Sequence, residues 1–301
     1  MKENLYLIGG SGFIGKNIVR CLHEVYNITV FDKYIDEDYF NQYPQVKTDL
    51  LNLSTDLIPD EYNSPSYIIN LASIVTAERD LSLFDGLISS NLKVLLNLYE
   101  RYKDNQSLKL FIQFGSSEEY GSNGSPFRED QREEPNSPYA LIKQLTTNTT
   151  LMLYKNYGFP SMVVRPGNIF GPGQNKSKFI PYVIEQLKAN KPLNVTPCEQ
   201  KRDFIYVDDF VKSIHTILIN YEKSIGEIIN ISSGESISLK VIIENIKTVL
   251  DSNSQINYGA IPYRENEVMD LKCDIKKLIQ LSNGSIIIDT RKRINDYINQ
   301  Y

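Results

Sequence analysis

Short apolar segments alternate with longer segments of helical periodicity over the first half of the chain. The apolar segments lie at 5–8, 28–31, 67–71 and 108–114, and the helical segments between them include 17–23 and 92–102. Residues 67–69 and 110–112 are continuously apolar or aromatic, which is typical of strands buried on both faces of a parallel sheet. The alternation therefore predicts an α/β fold of βαβ units with a doubly wound parallel, Rossmann-type sheet.

The pattern changes in the middle of the chain. Residues 139–157 contain no proline or glycine and are followed by Gly158, so they predict one long helix. Beyond Pro166 the sequence is rich in turn residues. We therefore expect a dinucleotide-binding domain at 1–166, to which 203–232 returns, and a smaller, discontinuous substrate-binding region formed by 167–202 and 233–301.

A glycine-rich loop follows the first predicted strand and opens the first predicted helix. Gly9, Gly12 and Gly15 would permit a tight turn and the close approach of a pyrophosphate, which the helix N-terminus attracts. Asp32 ends the next strand, where a carboxylate accepts ribose hydroxyls and repels a 2′-phosphate. The sequence thus favours NAD(H), while the neighbouring Lys33 keeps NADP(H) possible. The alternative is a glycine turn that only packs the helix on the strand.

Tyr139 and Lys143 are four residues apart and share one face of the predicted long helix. A tyrosine in water has a pKa of about 10, and we expect Lys143 and an oxidised nicotinamide to lower it, so that Tyr139 can act as acid and base. Ser116 follows a predicted central strand and should emerge at the sheet edge where ligands bind. A tyrosine and a lysine at this spacing are, on their own, more often a surface pair than a catalytic one. The glycine loop and Ser116 favour the catalytic interpretation here.

Composition and charge exclude several classes of function. The 301 residues carry a net charge of -5 and no basic block, which argues against nucleic acid as a partner. We find no apolar run of bilayer length and no signal-peptide pattern. The cysteines, Cys21, Cys198 and Cys273, are far apart and odd in number, so they suggest neither a disulfide framework nor a zinc site. We expect a cytoplasmic protein without a metal or a membrane partner.

Together these motifs resemble the extended short-chain dehydrogenase/reductases, specifically the NAD-dependent nucleotide-sugar epimerase and dehydratase group. The resemblance spans nearly the whole chain and implies catalysis by Ser116, Tyr139 and Lys143, the last two also touching the cofactor. It also implies a homodimer built from the two long helices near 91–102 and 139–157. The further cofactor contacts that it implies are Gly9, Gly12, Phe13, Ile14, Gly15, Asp32, Lys33, Asp49, Leu50, Leu71, Ala72, Ser73 and Asn91, the last as an asparagine at a helix start.

Two further segments, 165–174 and 201–209, are similar to distinctive segments of the same group. The resemblance implies that Asn168 and Arg202 contact the diphosphate of a nucleoside-diphosphate sugar, and Arg264 matches a third such position. Bidentate arginines suit phosphate groups. After Arg264, however, an asparagine and a glutamate replace the group's usual glycine and aspartate. The alternative for both arginines is a solvated or ion-paired surface side chain.

The members of this group share hydride transfer and differ in the step that follows it. Glu118 lies two residues after Ser116, where the group's 4,6-dehydratases and decarboxylases carry a catalytic glutamate, although members without those activities have it too. Residues 115–121 and 138–143 are most similar to reductases of nucleoside-diphosphate 4-keto-6-deoxyhexoses, which make deoxysugars for bacterial surface polysaccharides such as O-antigen. We expect such an NAD(P)H-dependent reductase, with a 4-epimerase as the alternative and a 4,6-dehydratase third. A cofactor sensor without catalysis is disfavoured by the intact Ser116, Tyr139 and Lys143.

Overall fold

A computed structural model describes residues 2–76 and 78–301. Its strands are β1 (Asn4–Ile8), β2 (Asn27–Asp32), β3 (Lys47–Leu50), β4 (Tyr67–Asn70), β5 (Leu110–Phe114), β6 (Ser161–Pro166), β7 (Asn168–Phe170), β8 (Leu193–Val195), β9 (Lys201–Tyr206), β10 (Ile228–Ile231), β11 (Ser236–Ser238), β12 (Ile256–Tyr258) and β13 (Asp270–Leu271). Its α-helices are α1 (Phe13–Leu22), α2 (Glu37–Phe40), α3 (Phe84–Ile88), α4 (Val94–Tyr102), α5 (Pro138–Tyr157), α6 (Phe179–Lys188), α7 (Val207–Ile219), α8 (Tyr221–Ser224), α9 (Leu239–Val249), α10 (Lys276–Leu281) and α11 (Thr290–Gln300).

The chain forms two compact units. Unit 1 consists of Met1–Gly121, Arg132–Pro166 and Val211–Ile229. Unit 2 consists of Ser122–Gln131, Gly167–Phe210 and Asn230–Tyr301. In the described residues, 2–76 and 78–301, no helix is both long and apolar enough to cross a bilayer.

A seven-stranded sheet forms the centre of unit 1, with the order β10-β6-β5-β4-β1-β2-β3. The pairs formed among β1 to β6 are parallel, which confirms the predicted doubly wound sheet. Strands β4 and β5 are buried along their whole length, as their continuously apolar sequences predict. Because β1 pairs with β2 on one side and β4 on the other, the winding direction reverses at β1, and a ligand crevice is expected at that point.

Helices α4 and α5 cover one face of this sheet. Leu95 and Leu98 of α4 and Leu153 of α5 pack in one buried cluster with Phe31 and Phe111 of the sheet. The ends of α5 follow its sequence closely. Ser137 caps the N-terminus by accepting a hydrogen bond from the backbone N–H of Ala140, and Gly158 ends the helix in the left-handed conformation. The long helix predicted at 139–157 is confirmed.

Unit 2 contains a four-stranded sheet in which β9 pairs with β7, β11 and β13, and a two-stranded sheet of β8 and β12. Apolar residues of α6, α9 and α11 form its core. The buried carboxylate of Asp203 on β9 accepts hydrogen bonds from the backbone N–H groups of Ser233, Gly234 and Cys273, at 2.9, 3.1 and 3.1 Å. This carboxylate ties three segments of unit 2 together.

Two parts of the predicted domain division differ from the structure. The segment predicted to return to the first domain was 203–232, but only Val211–Ile229 belongs to unit 1, because β9 pairs with three strands of unit 2. In the other direction, Ser122–Gln131 lies in unit 2 although it falls within the predicted domain 1–166. The reason is that Phe127 exchanges backbone hydrogen bonds with the segment around Cys273, which the sequence pattern does not indicate.

Candidate active site

The carboxyl ends of β1 and β4 open into a cleft of about 500 Å³ in unit 1. Asp49 and Leu50, predicted to contact the cofactor, are not among its lining residues, whereas the neighbouring Leu51 and Asn52 are. Leu50 is instead an exposed residue at the end of β3. The predicted cofactor residues that do line the cleft are Gly9, Gly12, Phe13, Ile14, Gly15, Asp32, Lys33, Leu71, Ala72 and Ser73.

The three loop glycines have different surroundings. Gly9 has a positive φ of 69°, and a Cβ there would lie 2.8 Å from the backbone of Ala72. A Cβ at Gly15 would lie 2.5 Å from the Cα of Gly10. At Gly12, by contrast, the nearest protein atom would be 3.7 Å away, so the fold itself has room for a side chain. The open space beside Gly12 is where a ligand can approach the backbone.

The N-terminus of α1 faces the same loop. Gly12 is its N-cap and provides no side-chain hydrogen bond, unlike Ser137 at the start of α5. The backbone N–H groups of the first turn and the positive end of the helix dipole are therefore available to an anion. A glycine cradle with an uncapped helix N-terminus fits the pyrophosphate of a dinucleotide.

Asp32 has a structural contact as well as a predicted binding role. Its carboxylate accepts hydrogen bonds from the backbone N–H of Ser11 at 2.9 Å and from that of Tyr34 at 3.3 Å. It thereby connects the end of β2 to the glycine loop, while still lining the cleft. The exposed side chain of Lys33 follows it. Asp32 thus helps to hold the glycine loop in its shape from the end of β2.

Asn91 does not start a helix, which corrects our prediction. It lies in a π-helical turn, Ser89–Lys93, between α3 and α4, within an uninterrupted helical stretch. Its buried side-chain amide donates a hydrogen bond to the carbonyl oxygen of Leu87 at 2.9 Å. The π turn widens the helix by one residue at this position, and such turns often occur at functional sites.

The predicted catalytic residues lie together in unit 1. Tyr139 and Lys143 are on the buried face of α5, and Ser116 follows β5. The Lys143 Nζ donates a hydrogen bond to the carbonyl oxygen of Phe114, the last residue of β5, at 2.9 Å. The same atom lies 5.9 Å from the ring centroid of Tyr139. The end of a central strand and one helical face thus bring a phenol, an ammonium and a hydroxyl together.

Burial shifts the pKa values of Tyr139 and Lys143 in the directions that favour their neutral forms. It raises the pKa of Tyr139, as do the charges of Glu118 and Glu119, while the Ser116 hydroxyl acts in the opposite direction. Burial lowers the pKa of Lys143 to about 8, against the opposing charge of Glu119. We expected the pKa of Tyr139 to be lowered, but burial raises it, and the Ser116 hydroxyl that acts in the opposite direction does not compensate. The phenol is therefore in its proton-donating form.

Two consecutive glutamates after Ser116 have opposite environments. Glu118, the residue singled out by the sequence, is exposed. Glu119 is completely buried and was missed. The signal for it was present, because Ser116 and Glu119 have the spacing of a capping box, and the structure shows both of its reciprocal hydrogen bonds. The turn Ser117–Tyr120 is thereby fixed on the end of β5.

The three predicted diphosphate contacts lie in unit 2. Asn168 donates a hydrogen bond to the carbonyl oxygen of Asp203 at 3.3 Å. The guanidinium of Arg202 forms an ion pair with Glu267 and donates to the carbonyl oxygen of Val268 at 2.7 Å. The side chain of Arg264 is exposed. A phosphate that uses Arg202 would therefore share it with Glu267 or displace that carboxylate.

Comparison with known proteins decides the family. The model of the NAD dependent epimerase/dehydratase family matches residues 5–232, which is most of the chain and includes the loop, Ser116, Tyr139 and Lys143. The chain belongs to this family. Family membership confirms the resemblance seen in the sequence.

Within the family, the relatives have different activities. A CDP-abequose synthase of Salmonella muenchen is 36% identical over 118 residues, 39% of this chain and 40% of that protein. A dTDP-4-dehydro-6-deoxyglucose reductase of Escherichia coli is 27% identical over 271 residues, 85% of either chain. The structure of a UDP-N-acetylglucosamine 4-epimerase from Methanobrevibacter ruminantium M1 has a TM-score of 0.89 at 24% identity and covers 99% of this chain and 98% of its own. That similarity shows a shared fold.

The space beside Gly12 generates a first prediction. Because Gly12 has a negative φ of -77° and no close neighbour, Gly12→Ala should change the free energy of unfolding by less than about 0.5 kcal/mol. The new methyl group should nevertheless weaken binding of NADH by about tenfold or more, measured by calorimetry. Gly15→Ala is the contrasting variant and should lose stability through its clash with Gly10. Undiminished NADH affinity in a folded Gly12→Ala protein would contradict a pyrophosphate at this position.

The pKa of Lys143 generates a second prediction. The folded pKa of about 8 lies below that of an unfolded lysine. The unfolded chain therefore binds more protons than the folded chain between about pH 8 and about pH 10.5, and Lys143 makes the free energy of unfolding rise with pH across this window. The free energy of unfolding of Lys143→Met should therefore exceed that of the wild type at pH 7 by up to about 3 kcal/mol. The lost hydrogen bond to Phe114 reduces this gain by about 1 kcal/mol, and the gain should disappear by about pH 10. Urea unfolding at both pH values measures it. Lys155→Met, on the exposed side of α5, is the control. A pH-independent effect of Lys143→Met would refute the lowered pKa.

Proposed function

We propose that this protein reduces the 4-keto group of a nucleoside-diphosphate 4-keto-6-deoxyhexose with NADH. The observation that carries the proposal is the buried group of Ser116, Tyr139 and Lys143 at the end of β5, in the unit that also holds the glycine cleft. A reduction needs a proton donor at the start of the reaction. The raised pKa of Tyr139 supplies a neutral phenol, which is that form.

NAD(H) is the cofactor that the cleft residues fit best. The uncapped N-terminus of α1 and the space beside Gly12 would hold the pyrophosphate, and Asp32 at the end of β2 would accept the adenosine ribose hydroxyls. When bound, the nicotinamide supplies the hydride for reduction. The carboxylate of Asp32 disfavours a 2′-phosphate, while Lys33 beside it limits that preference.

The chain's own groups would direct the proton. Tyr139 donates its phenolic proton to the oxygen of the ketone, and Ser116 donates a hydrogen bond to the same oxygen. Lys143 is held against Phe114 O on the helical turn after Tyr139, where its charge favours the phenolate left by that transfer. The burial of both side chains keeps water from competing for these hydrogen bonds.

A sugar carried on a diphosphate is the substrate class that the second unit supports. We propose that Arg202, Arg264 and Asn168 contact the diphosphate, with Arg202 exchanging its ion pair with Glu267 for the phosphate. Relatives named dTDP-4-dehydro-6-deoxyglucose reductase and CDP-abequose synthase make a deoxysugar nucleotide the favoured substrate of this chain. The product would be a building block of a surface polysaccharide such as O-antigen.

Glu118 favours a second candidate function. Its carboxylate is exposed, and its charge raises the pKa of Tyr139, so it lies close to the reacting groups. A carboxylate in that place can serve as the additional acid or base of a 4,6-dehydratase. A 4-epimerase, the other alternative, would need only Tyr139 and a ketone free to turn over.

The reaction is tested by incubating the protein with NADH or NADPH and dTDP-, CDP- or GDP-linked 4-keto-6-deoxyhexoses. We expect loss of the reduced nicotinamide absorbance with at least one sugar and faster turnover with NADH. Tyr139→Phe should lower turnover by about 100-fold or more while leaving NADH affinity unchanged, whereas Glu118→Gln should retain activity within about threefold. Conversion of a 4-hydroxy sugar nucleotide without net consumption of cofactor, lost in Glu118→Gln, would point instead to the dehydratase.

We also propose a homodimer formed by the exposed sides of two helical segments of unit 1. Leu141, Leu145 and Met152 form an exposed apolar stripe on α5, opposite the catalytic face. Ile88 and Leu96 are similarly exposed on α3 and α4. All five are between 39% and 43% exposed, and apolar stripes of this kind are typical of helix packing between subunits.

Sedimentation velocity tests the homodimer. The wild-type chain should sediment as a dimer, and the double variant Leu141→Glu/Leu145→Glu should sediment as a folded monomer, because charges in an apolar helix interface cannot be solvated. Leu57→Glu, at a 78% exposed position of the same unit, is the matched control and should remain dimeric. A monomeric wild type, or a dimeric double variant, would show that these stripes are not an interface.

A further inference from the structure

A buried ion pair lies beside the turn that carries Ser116. The side chains of Glu119 and Arg165 have no solvent exposure, and the Arg165 Nε and Nη2 lie 2.9 and 2.7 Å from Oε2 of Glu119. Glu133 contacts the same guanidinium, and the Tyr120 ring lies against it with its centroid 4.6 Å from Cζ. Buried ion pairs contribute little net stability, so stability does not explain this one. Its position beside the candidate active site indicates its role.

The other carboxylate oxygen of Glu119 joins two elements of the candidate active site. Oε1 accepts a hydrogen bond from the backbone N–H of Ser116 at 2.8 Å and another from the hydroxyl of Thr147 at 3.1 Å. Thr147 follows Tyr139 and Lys143 at intervals of four residues along the same buried face of α5. One oxygen atom therefore connects the turn of Ser116 to the helical face that presents the phenol and the ammonium.

Gly115 leaves the space that this carboxylate occupies. A Cβ at Gly115 would clash with Oε1 of Glu119 and lie 3.1 Å from the hydroxyl oxygen of Thr147. The last residue before Ser116 is thus without a side chain at the point where the carboxylate passes between β5 and α5. Gly115 and Thr147 thus both pack against Oε1 of Glu119.

The contacts of Glu119 suit a carboxylate. Burial raises the pKa of its carboxyl group, and the charge of Arg165 with the donors of Ser116 and Thr147 acts against that rise. Each group that hydrogen-bonds to this side chain donates the hydrogen, and an ionised carboxylate can accept all of these bonds. Its negative charge also raises the pKa of Lys143 and thereby opposes the effect of burial on that lysine.

We propose that Glu119 is a positioning residue: it fixes the Ser116 turn against the Tyr139 and Lys143 face of α5 through the hydrogen bonds that Ser116 and Thr147 donate to one carboxylate oxygen. Arg165 holds the carboxylate in place from the opposite side. As a role in catalysis, this rests on the proposed reduction. Displacing a reacting group by about 1 Å can reduce turnover by about 100-fold, so a link of this kind affects rate more than binding.

Two variants test the link from either end. Glu119→Gln places an amide donor opposite Arg165 or Ser116, and Thr147→Val removes the hydroxyl without changing charge or size appreciably. In the reductase assay we expect kcat to fall by about 100-fold for Glu119→Gln and about tenfold for Thr147→Val, with KM for the sugar nucleotide within about threefold of wild type. If Glu119→Gln does not fold, Thr147→Val alone decides.

Matched controls remove the neighbouring contacts only. Glu133→Gln takes a carboxylate from Arg165 without touching Ser116 or Thr147. Thr150→Val removes a buried hydroxyl of α5 that donates only to the helix backbone at Thr146. Both should keep kcat within about threefold of wild type. Equal losses in Thr147→Val and Thr150→Val, or losses confined to KM, would overturn the positioning role.

A measurement without substrate separates this proposal from the proposed function. Hydrogen exchange of the segment 114–121 should be faster by about tenfold or more in Glu119→Gln and Thr147→Val than in wild type, and unchanged in Glu133→Gln and Thr150→Val. A wild-type protein that turns over no sugar nucleotide would refute the reduction while leaving this exchange pattern to be observed. Unchanged exchange in the first two variants would refute the link whatever the reaction.

Discussion

Burial of one face of α5 against the end of β5 is the contact on which the candidate active site depends. It places Lys143 Nζ on the carbonyl oxygen of Phe114 and brings the Tyr139 phenol into a site of low exposure. Desolvation then disfavours the charged form of either group. The negative charge of Glu119 opposes this effect on Lys143, because it raises the pKa of the ammonium.

The glycine loop shows a second division between folding and function. Gly9 and Gly15 are required by the protein's own backbone, whereas Gly12 is adjacent to open space. Asp32 binds the loop through Ser11 and also faces the cleft. A residue that serves both the fold and a ligand is difficult to assess by substitution, since a change in binding can come from a change in loop shape. Gly12 separates the two effects.

The sequence predicted the elements that follow simple periodicity and missed contacts that depend on tertiary neighbours. The sheet strands, α5 and the grouping of Ser116, Tyr139 and Lys143 were predictable because strand ends and helical spacing place side chains reliably. The membership of β9 in unit 2 was not, since the sequence of a strand gives no indication of its partners. Glu119 was overlooked for a similar reason, because its burial depends on Arg165, which is 46 residues further along the chain.

In the reaction that we propose, this site transfers a hydride to a sugar nucleotide and Tyr139 supplies the proton. The most direct measurement is mass spectrometry of the sugar product formed from NADH that carries deuterium at the transferable position. We predict deuterium bonded to C4 of the product made by the wild-type protein, and at least about 100-fold less labelled product from Tyr139→Phe in the same time. Deuterium retained entirely on the nicotinamide, or a label incorporated equally by Tyr139→Phe, would contradict it.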